Sequence, residues 1–293
     1  MRGHPYMNYF WSNTIWYLVL DAVTILEMTF ILVRTKRRKF AFAFYLTLCG
    51  MEVLFFETVV FLLTRAYDYA PKIIQTQPFD DNLLGKVFSQ LSVSATALLV
   101  AVFRLKFFWI LTLSVIYALI ENLFLALGVY SHNWYRTWMT PIALIAFFWG
   151  AKTYYAALLK GPKPFAHYLN IFTGLFPMFV LTILWVFSLS GYQNYIASAF
   201  PDPVIYRILI STWYFIAVSI PMMLIYFLKL TWRWKAAVII ALHGVNYLAY
   251  KKWNLLWFKD EWWYLIFSTV TIVWMYFSVL LLDYLYAKPK QQH

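Results

Sequence analysis

The sequence predicts an all-α, polytopic integral membrane helix bundle of about nine transmembrane helices, with the N-terminus outside and the C-terminus cytoplasmic. Three observations predict it. The chain has 293 residues, 63% of them hydrophobic and only 12% charged. A soluble domain carries about 25% charged residues, so this chain has too few to cover a water-facing surface. The apolar residues gather in runs of about 20, the length at which a helix crosses the hydrocarbon of a bilayer. The basic residues lie between those runs and are richer on one side, as cytoplasmic loops are.

The first run, 8–33, ends in RTKRR and lacks a small-residue cleavage site, so it reads as a span and not a cleaved signal. Eight more follow, at 40–64, 83–103, 107–130, 138–159, 168–190, 207–228, 236–257 and 263–286. No connection between them is long enough for a soluble domain, and 1–293 reads as one transmembrane domain. The longest connections, 65–82 and 191–206, are expected to hold short interfacial helices.

Orientation follows from charge. Connections after runs 1, 3, 5 and 7, with the tail, carry most of the Lys and Arg, from Arg34 to Lys290, while the loop acids Asp68, Asp80, Asp81, Asp202, Asp260 and Glu261 fall on the other side. Trp11, Trp16, Trp134, Trp138, Trp253, Trp257, Trp262 and Trp263 mark the outer ends, and Trp232 and Trp234 an inner end. Indole rings prefer that interface, where the N–H stays wet and the ring does not. Pro177 and Pro221 lie inside runs 6 and 7, where each removes a backbone donor and kinks its helix.

Runs 3–5 and 7–9 follow one plan, which suggests a parallel internal repeat with halves 83–159 and 207–287. Each half has a basic inner turn (FRLK, FLKL), a helix with a mid-depth polar pair, and an aromatic outer turn (SHNWYRTW, KKWNLLWF). The polar pairs are Glu121–Asn122 and His243 with Asn246.

Several function classes are excluded. The net charge of +12 is spread over short loops, so no basic domain exists to hold nucleic acid. One cysteine, Cys49, rules out an internal disulfide or a thiolate cluster. P-loop, HExxH and GxSxG motifs are absent. His243 is the single histidine within a run, so one chain offers no bis-histidine haem site. No central lysine in the last two runs suits a retinal Schiff base; Lys251 and Lys252 lie near an outer end. No cofactor is expected.

The ionisable residues inside the runs carry the functional reading. Each costs about 2.5–3.5 kcal/mol at mid-membrane on insertion scales. Asp21, Glu52 and Glu121 fall at similar depth on three helices and form the expected cation or proton site. Two carboxylates close together in low dielectric do not both ionise cheaply, so one keeps a proton. Lys152 is expected as counter-charge. His243 and Asn246, on one helix face, are expected to line the site with Glu27 and Glu57. In an α-helix Glu52 and Glu57 would stand about 140° apart, so Glu57 is assigned to an entrance or a structural bond.

The segment LIENLFLALGVYSHNW (119–134), a mid-helix glutamate followed by Gly, Tyr and Trp, resembles uncharacterised multi-span proteins of spore-forming Gram-positive bacteria. That resemblance implies a bacterial cytoplasmic membrane and carries over no activity or functional residue. The second half departs from it, with His243 and Asn246 in place of the glutamate.

The first functional reading is a cation- or proton-coupled transporter or channel. The second is a non-catalytic receptor-like or scaffold subunit, as a homo-oligomer or with a partner membrane subunit. The third is an intramembrane lipid-modifying enzyme. The expected partners are the bilayer and a small cation or proton.

Overall fold

The structure, a computed structural model, describes residues 9–74, 78–161, 163–184, 190–196 and 203–287. Among these residues the nine helices fall where the nine apolar runs lie. They are α1 (Ile15–Arg34), α2 (Arg38–Met51), α3 (Pro78–Val102), α4 (Phe107–Ala126), α5 (Met139–Lys160), α6 (Pro164–Met178), α7 (Pro203–Phe227), α8 (Trp232–Lys251) and α9 (Glu261–Tyr286). Seven helical segments are long and apolar enough to cross a membrane, which fits an integral membrane protein. α2 and α8 are outside that set. α2 has 14 residues before its backbone changes pitch, and α8 carries Arg233, Lys235 and Lys251 near its ends.

Three stretches are π-helical: Phe10–Thr14 before α1, Glu52–Leu63 after α2, and Phe179–Leu184 after α6. In this geometry hydrogen bonds run from i to i+5. Thr58 Oγ1 accordingly donates to the carbonyl of Val53, five residues back, at 2.7 Å. The α-helical angle between Glu52 and Glu57 therefore does not apply there. The Glu57 side chain, like Lys288 and Lys290 of the tail, lies outside the described residues.

Among the described residues the two longest connections hold strands, where short interfacial helices were expected. β1 (Tyr67–Tyr69) pairs antiparallel with β2 (Tyr130–His132), Asp68 opposite Ser131. β3 (Gln193–Tyr195) pairs antiparallel with β4 (Leu256–Phe258), Asn194 opposite Trp257. The Tyr-rich segments suit this, because aromatic side chains favour a half-buried pleated surface.

The chain forms two compact units. Unit 1 is Met1–Ala41 with Glu52–Pro162, and unit 2 is Phe42–Met51 with Lys163–His293. In unit 1, α3 packs on α1 and α5, and α4 packs on α5. α3 is the inner helix, with 61% of its apolar window buried against 17% for α4 and 22% for α1 and α5. Its sequence explains this: Ser92, Ser94, Ala95, Thr96 and Ala97 are small and buried, and small residues let helix backbones approach closely. The leftover apolar surface of α1, α4 and α5 (Leu26, Leu119 and Ile142 are exposed) suits hydrocarbon.

The end of unit 1 that carries β1 and β2 is tied by polar side chains. Asp81, in the first turn of α3, accepts the backbone N–H groups of Lys72, Ile73 and Ile74 at 2.8–2.9 Å. Asn82 Nδ2 donates to Asp68 at 2.6 Å while Asn82 Oδ1 accepts the N–H of Tyr69 at 2.7 Å. Buried Tyr17 donates to the carbonyl of Val129 at 2.5 Å. In unit 2, α9 packs on α6, α7 and α8. Thr47 of α2 donates to the carbonyl of Asn170 at 3.0 Å and bonds the Tyr286 hydroxyl at 2.5 Å.

A close approach inside unit 2 requires glycine at position 50. A Cβ there would sit 1.8 Å from the carbonyl oxygen of Thr173. Gly50→Ala is expected to destabilise by at least about 2 kcal/mol, at the upper part of the overpacking range. The midpoint of unfolding in detergent measures it, and a wild-type midpoint would show that the two backbones separate freely.

Candidate functional site

Unit 1 encloses a chain of hydroxyls that ends on a carboxylate. On α3, Ser92 and Thr96 are one turn apart and buried, so both face the same neighbour. Tyr117 of α4 reaches between them, its hydroxyl 2.8 Å from Ser92 Oγ and 3.0 Å from Thr96 Oγ1. Thr96 Oγ1 donates in turn to Glu27 Oε2 of α1 at 3.0 Å.

The donor count orders this chain. Each hydroxyl has one proton to give. With Glu27 ionised, Thr96 spends its proton on Glu27, so Tyr117 donates to Thr96 and Ser92 to Tyr117. With Glu27 protonated the order reverses, from Glu27 through Thr96 and Tyr117 to Ser92. One proton on Glu27 thus reorients three hydroxyls without moving a heavy atom. Glu52, 9% exposed, lies close enough to act electrostatically on the Tyr117 hydroxyl, as Glu27 does.

Glu121 is one turn outward of Tyr117 on α4, about 6 Å along the axis. One of its oxygens lies 2.7 Å from His132 Nε2 at the end of β2, and the other accepts from the Thr140 hydroxyl of α5. The Thr140 hydroxyl also lies 3.2 Å from the Tyr135 hydroxyl. His132 and Glu121 are 13% and 10% exposed. The His132 ring packs edge-on against Tyr130 and Tyr135. His132 ties this pair to the β1–β2 ladder.

The remaining sequence-predicted residues distribute as follows. Asp21 is half-buried on α1 and makes no hydrogen bond or ion pair among the described residues. Glu27, assigned from sequence to the lining, is the carboxylate on the hydroxyl chain. Lys152, assigned as counter-charge, donates to the carbonyl of Leu105 at 2.6 Å and so caps the inner turn between α3 and α4. All of these belong to unit 1, whereas His243 and Asn246 belong to unit 2.

In unit 2, Asn246 of α8 is buried and donates from Nδ2 to Ser268 Oγ of α9 at 2.7 Å and to the Tyr214 hydroxyl of α7 at 3.4 Å. His243 Nδ1 lies 3.0 Å from the same Ser268 Oγ. Ser268 is the shared partner.

Sequence reasoning missed two groups. Tyr117 gave no signal, being one of 23 tyrosines in an aromatic-rich chain. Asp283 did give one, since it is an acid inside the ninth apolar run. It accepts from the Tyr226 hydroxyl at 2.6 Å and lies 2.8 Å from His167 Nε2, joining α6, α7 and α9. Among the described residues no three His, Cys, Asp or Glu side chains converge as metal ligands.

No family model, no curated protein and no solved structure matches the chain. The functional reading therefore rests on geometry and chemistry.

Ser268→Ala removes the shared partner of Asn246 and His243 from a buried site. The expected loss is about 1 kcal/mol, within the range measured for hydrogen bonds between membrane helices. Thermal unfolding of the purified protein would register it, and an unchanged midpoint would show that Asn246 repairs its bond elsewhere.

Proposed function

We propose that the protein moves protons, or a small cation exchanged for them, across a membrane, and that unit 1 holds the site. The observation that carries this reading is the chain Ser92–Tyr117–Thr96–Glu27. A carboxyl group inside an apolar span is costly, and here it terminates a line of hydroxyls whose donor order can be either of two. Such a line is what a proton needs to be relayed between groups that do not touch. Glu52 supplies a second buried acid in the same unit, and two acids in low dielectric share protons more readily than they hold two charges. Glu121 with His132 supplies the outward station, one turn from Tyr117, where an imidazole nitrogen lies 2.7 Å from the carboxylate. Lys152 holds the inner turn of the site, Glu57 belongs to the entrance, and Asp21, on the half-buried face of α1, stands off the hydroxyl chain.

In this reading all nine helices cross the bilayer, α2 and α8 included. The N-terminus is outside, the basic inner turns face the cytoplasm, and the membrane is the bacterial cytoplasmic one. The charge asymmetry of the loops and the sequence of 119–134 support that placement.

Reconstituted vesicles containing a pH-sensitive dye test the reading. An imposed gradient is expected to collapse faster with the protein than without it. Glu27→Gln and Tyr117→Phe are each expected to slow the collapse at least about tenfold, the lower range for losing a proton-transfer group. Asp21→Asn is expected to stay within about threefold of the wild type, since Asp21 has no place on the chain. If folded Glu27→Gln and Glu52→Gln proteins both pass protons at the wild-type rate, the carboxylates are structural and this function is wrong.

A further inference from the structure

We infer that the chain is a tandem duplication in parallel orientation, and that Asn246 occupies in the second copy the place that Glu121 occupies in the first. The structural correspondence is independent of the function proposed above; the consequence for protons rests on it.

Element succession makes the first case. Among the described residues, from Glu52 the chain runs π-helix, β1, α3, α4, β2, α5, and from Phe179 it runs π-helix, β3, α7, α8, β4, α9. The lengths of the first two helices agree as well. α3 and α7 each have 25 residues and each begins with proline, at Pro78 and Pro203. α4 and α8 each have 20 residues and begin at Phe107 and Trp232. The strands begin at Tyr67 and Gln193, and at Tyr130 and Leu256. These starts are displaced by 125 residues for the helices and 126 for the strands, while α5 and α9 begin 122 residues apart, at Met139 and Glu261.

Packing repeats too. The third α-helix of each succession contacts the first and second: α5 packs on α3 and α4, and α9 on α7 and α8. Each strand pair joins the connection before the first of these helices to the connection after the second.

Backbone conformation is the most specific witness. Left-handed φ is uncommon outside glycine, because Cβ meets the carbonyl oxygen. Among the described residues the left-handed positions include Arg65 and Gly191 (φ 48° and 69°), Arg104 and Lys229 (51° and 49°), and Gly128 and Asn254 (69° and 52°). Each pair is separated by the same 125 or 126 residues, and only one of the three pairs has a non-glycine cation at both places. Hydropathy alone places apolar runs, but it gives no reason for a turn residue to take the same rare φ at the same place in both halves. Of the other two left-handed residues, the counterpart of Lys72 lies outside the described residues and Gly161 has no left-handed counterpart.

This register pairs Glu121 with Asn246, each the fifteenth residue of its 20-residue helix. Both are buried or nearly so, and both bond a hydroxyl of the following helix, Thr140 for Glu121 and Ser268 for Asn246. A tyrosine hydroxyl completes each group, Tyr135 in one and Tyr214 in the other. An amide keeps hydrogen-bonding capacity but has no proton to release and no charge to hold a cation. The second copy is therefore a hydrogen-bonding site for a neutral polar group, and proton exchange at this place belongs to the first copy.

Two experiments test this in the full chain. The first uses a Cys49→Ser background and a membrane-impermeant maleimide on sealed vesicles. Lys106→Cys and Thr231→Cys, before α4 and α8, are expected to label from one side. Ser131→Cys and Trp257→Cys, central in β2 and β4, are expected to label from the other. Labelling of the two members of either pair from opposite sides would overturn the parallel duplication. The second gives the first copy the residue type of the second. In a Glu121→Asn protein the proton flux is expected to fall at least about tenfold. A folded Glu121→Asn protein with wild-type flux would overturn the assignment of proton exchange at this place to the first copy. A wild type without proton flux would count against the proposed function and against that consequence, while the labelling would still decide the duplication.

Discussion

A polar group inside hydrocarbon must find its partner within the protein, and this constraint organises the molecule. Backbone groups meet it by coiling into helices. Side chains meet it by turning inward, which fixes the faces on which helices pack. In unit 1 the inner helix is α3, whose buried Ser92, Thr96, Asp81 and Lys86 leave the apolar faces of α1 and α4 for lipid. The most polar helix is thus the most enclosed, the reverse of a soluble bundle. At the outer end, where the chain must turn, the strands and the Asp81 cradle take over the same task and satisfy the loop backbone.

The same constraint makes the candidate site specific. A carboxyl group buried beside alkyl chains alone would remain a cost to the fold. Glu27 meets Thr96, Thr96 meets Tyr117, and Tyr117 meets Ser92, so each group is satisfied by the next. Satisfaction in series differs from satisfaction in pairs, because the donor order must change along the whole line when the terminal proton changes. That coupling gives the arrangement its proposed use. Asn246 and Ser268 in unit 2 meet the constraint with an amide, whose donors stay fixed.

Much of the fold was legible. Apolar runs of about 20 residues have one stable outcome in a bilayer, and each run became a helix. The strands were not legible, because three-residue segments such as YDY and LWF are too short for a period to emerge, and their pairing joins residues more than 60 positions apart. The π-helical stretch was equally hidden, and with it the angle between Glu52 and Glu57.

By itself the sequence determined the solvent of this protein, the positions of its helices, and the set of buried acids, because the cost of charge in hydrocarbon depends on residue type and depth alone. Tertiary structure decided which acids have partners. Asp21 and Glu27 lie on one helix and look alike in sequence, yet Glu27 meets Thr96 and Asp21 meets no hydrogen-bond partner among the described residues. Lys152, equally buried by sequence, answers a backbone carbonyl where an acid was expected. The reason is geometric. A hydrogen bond requires two atoms within about 3 Å, and that distance depends on how neighbouring helices pack and rotate, which no single helix encodes.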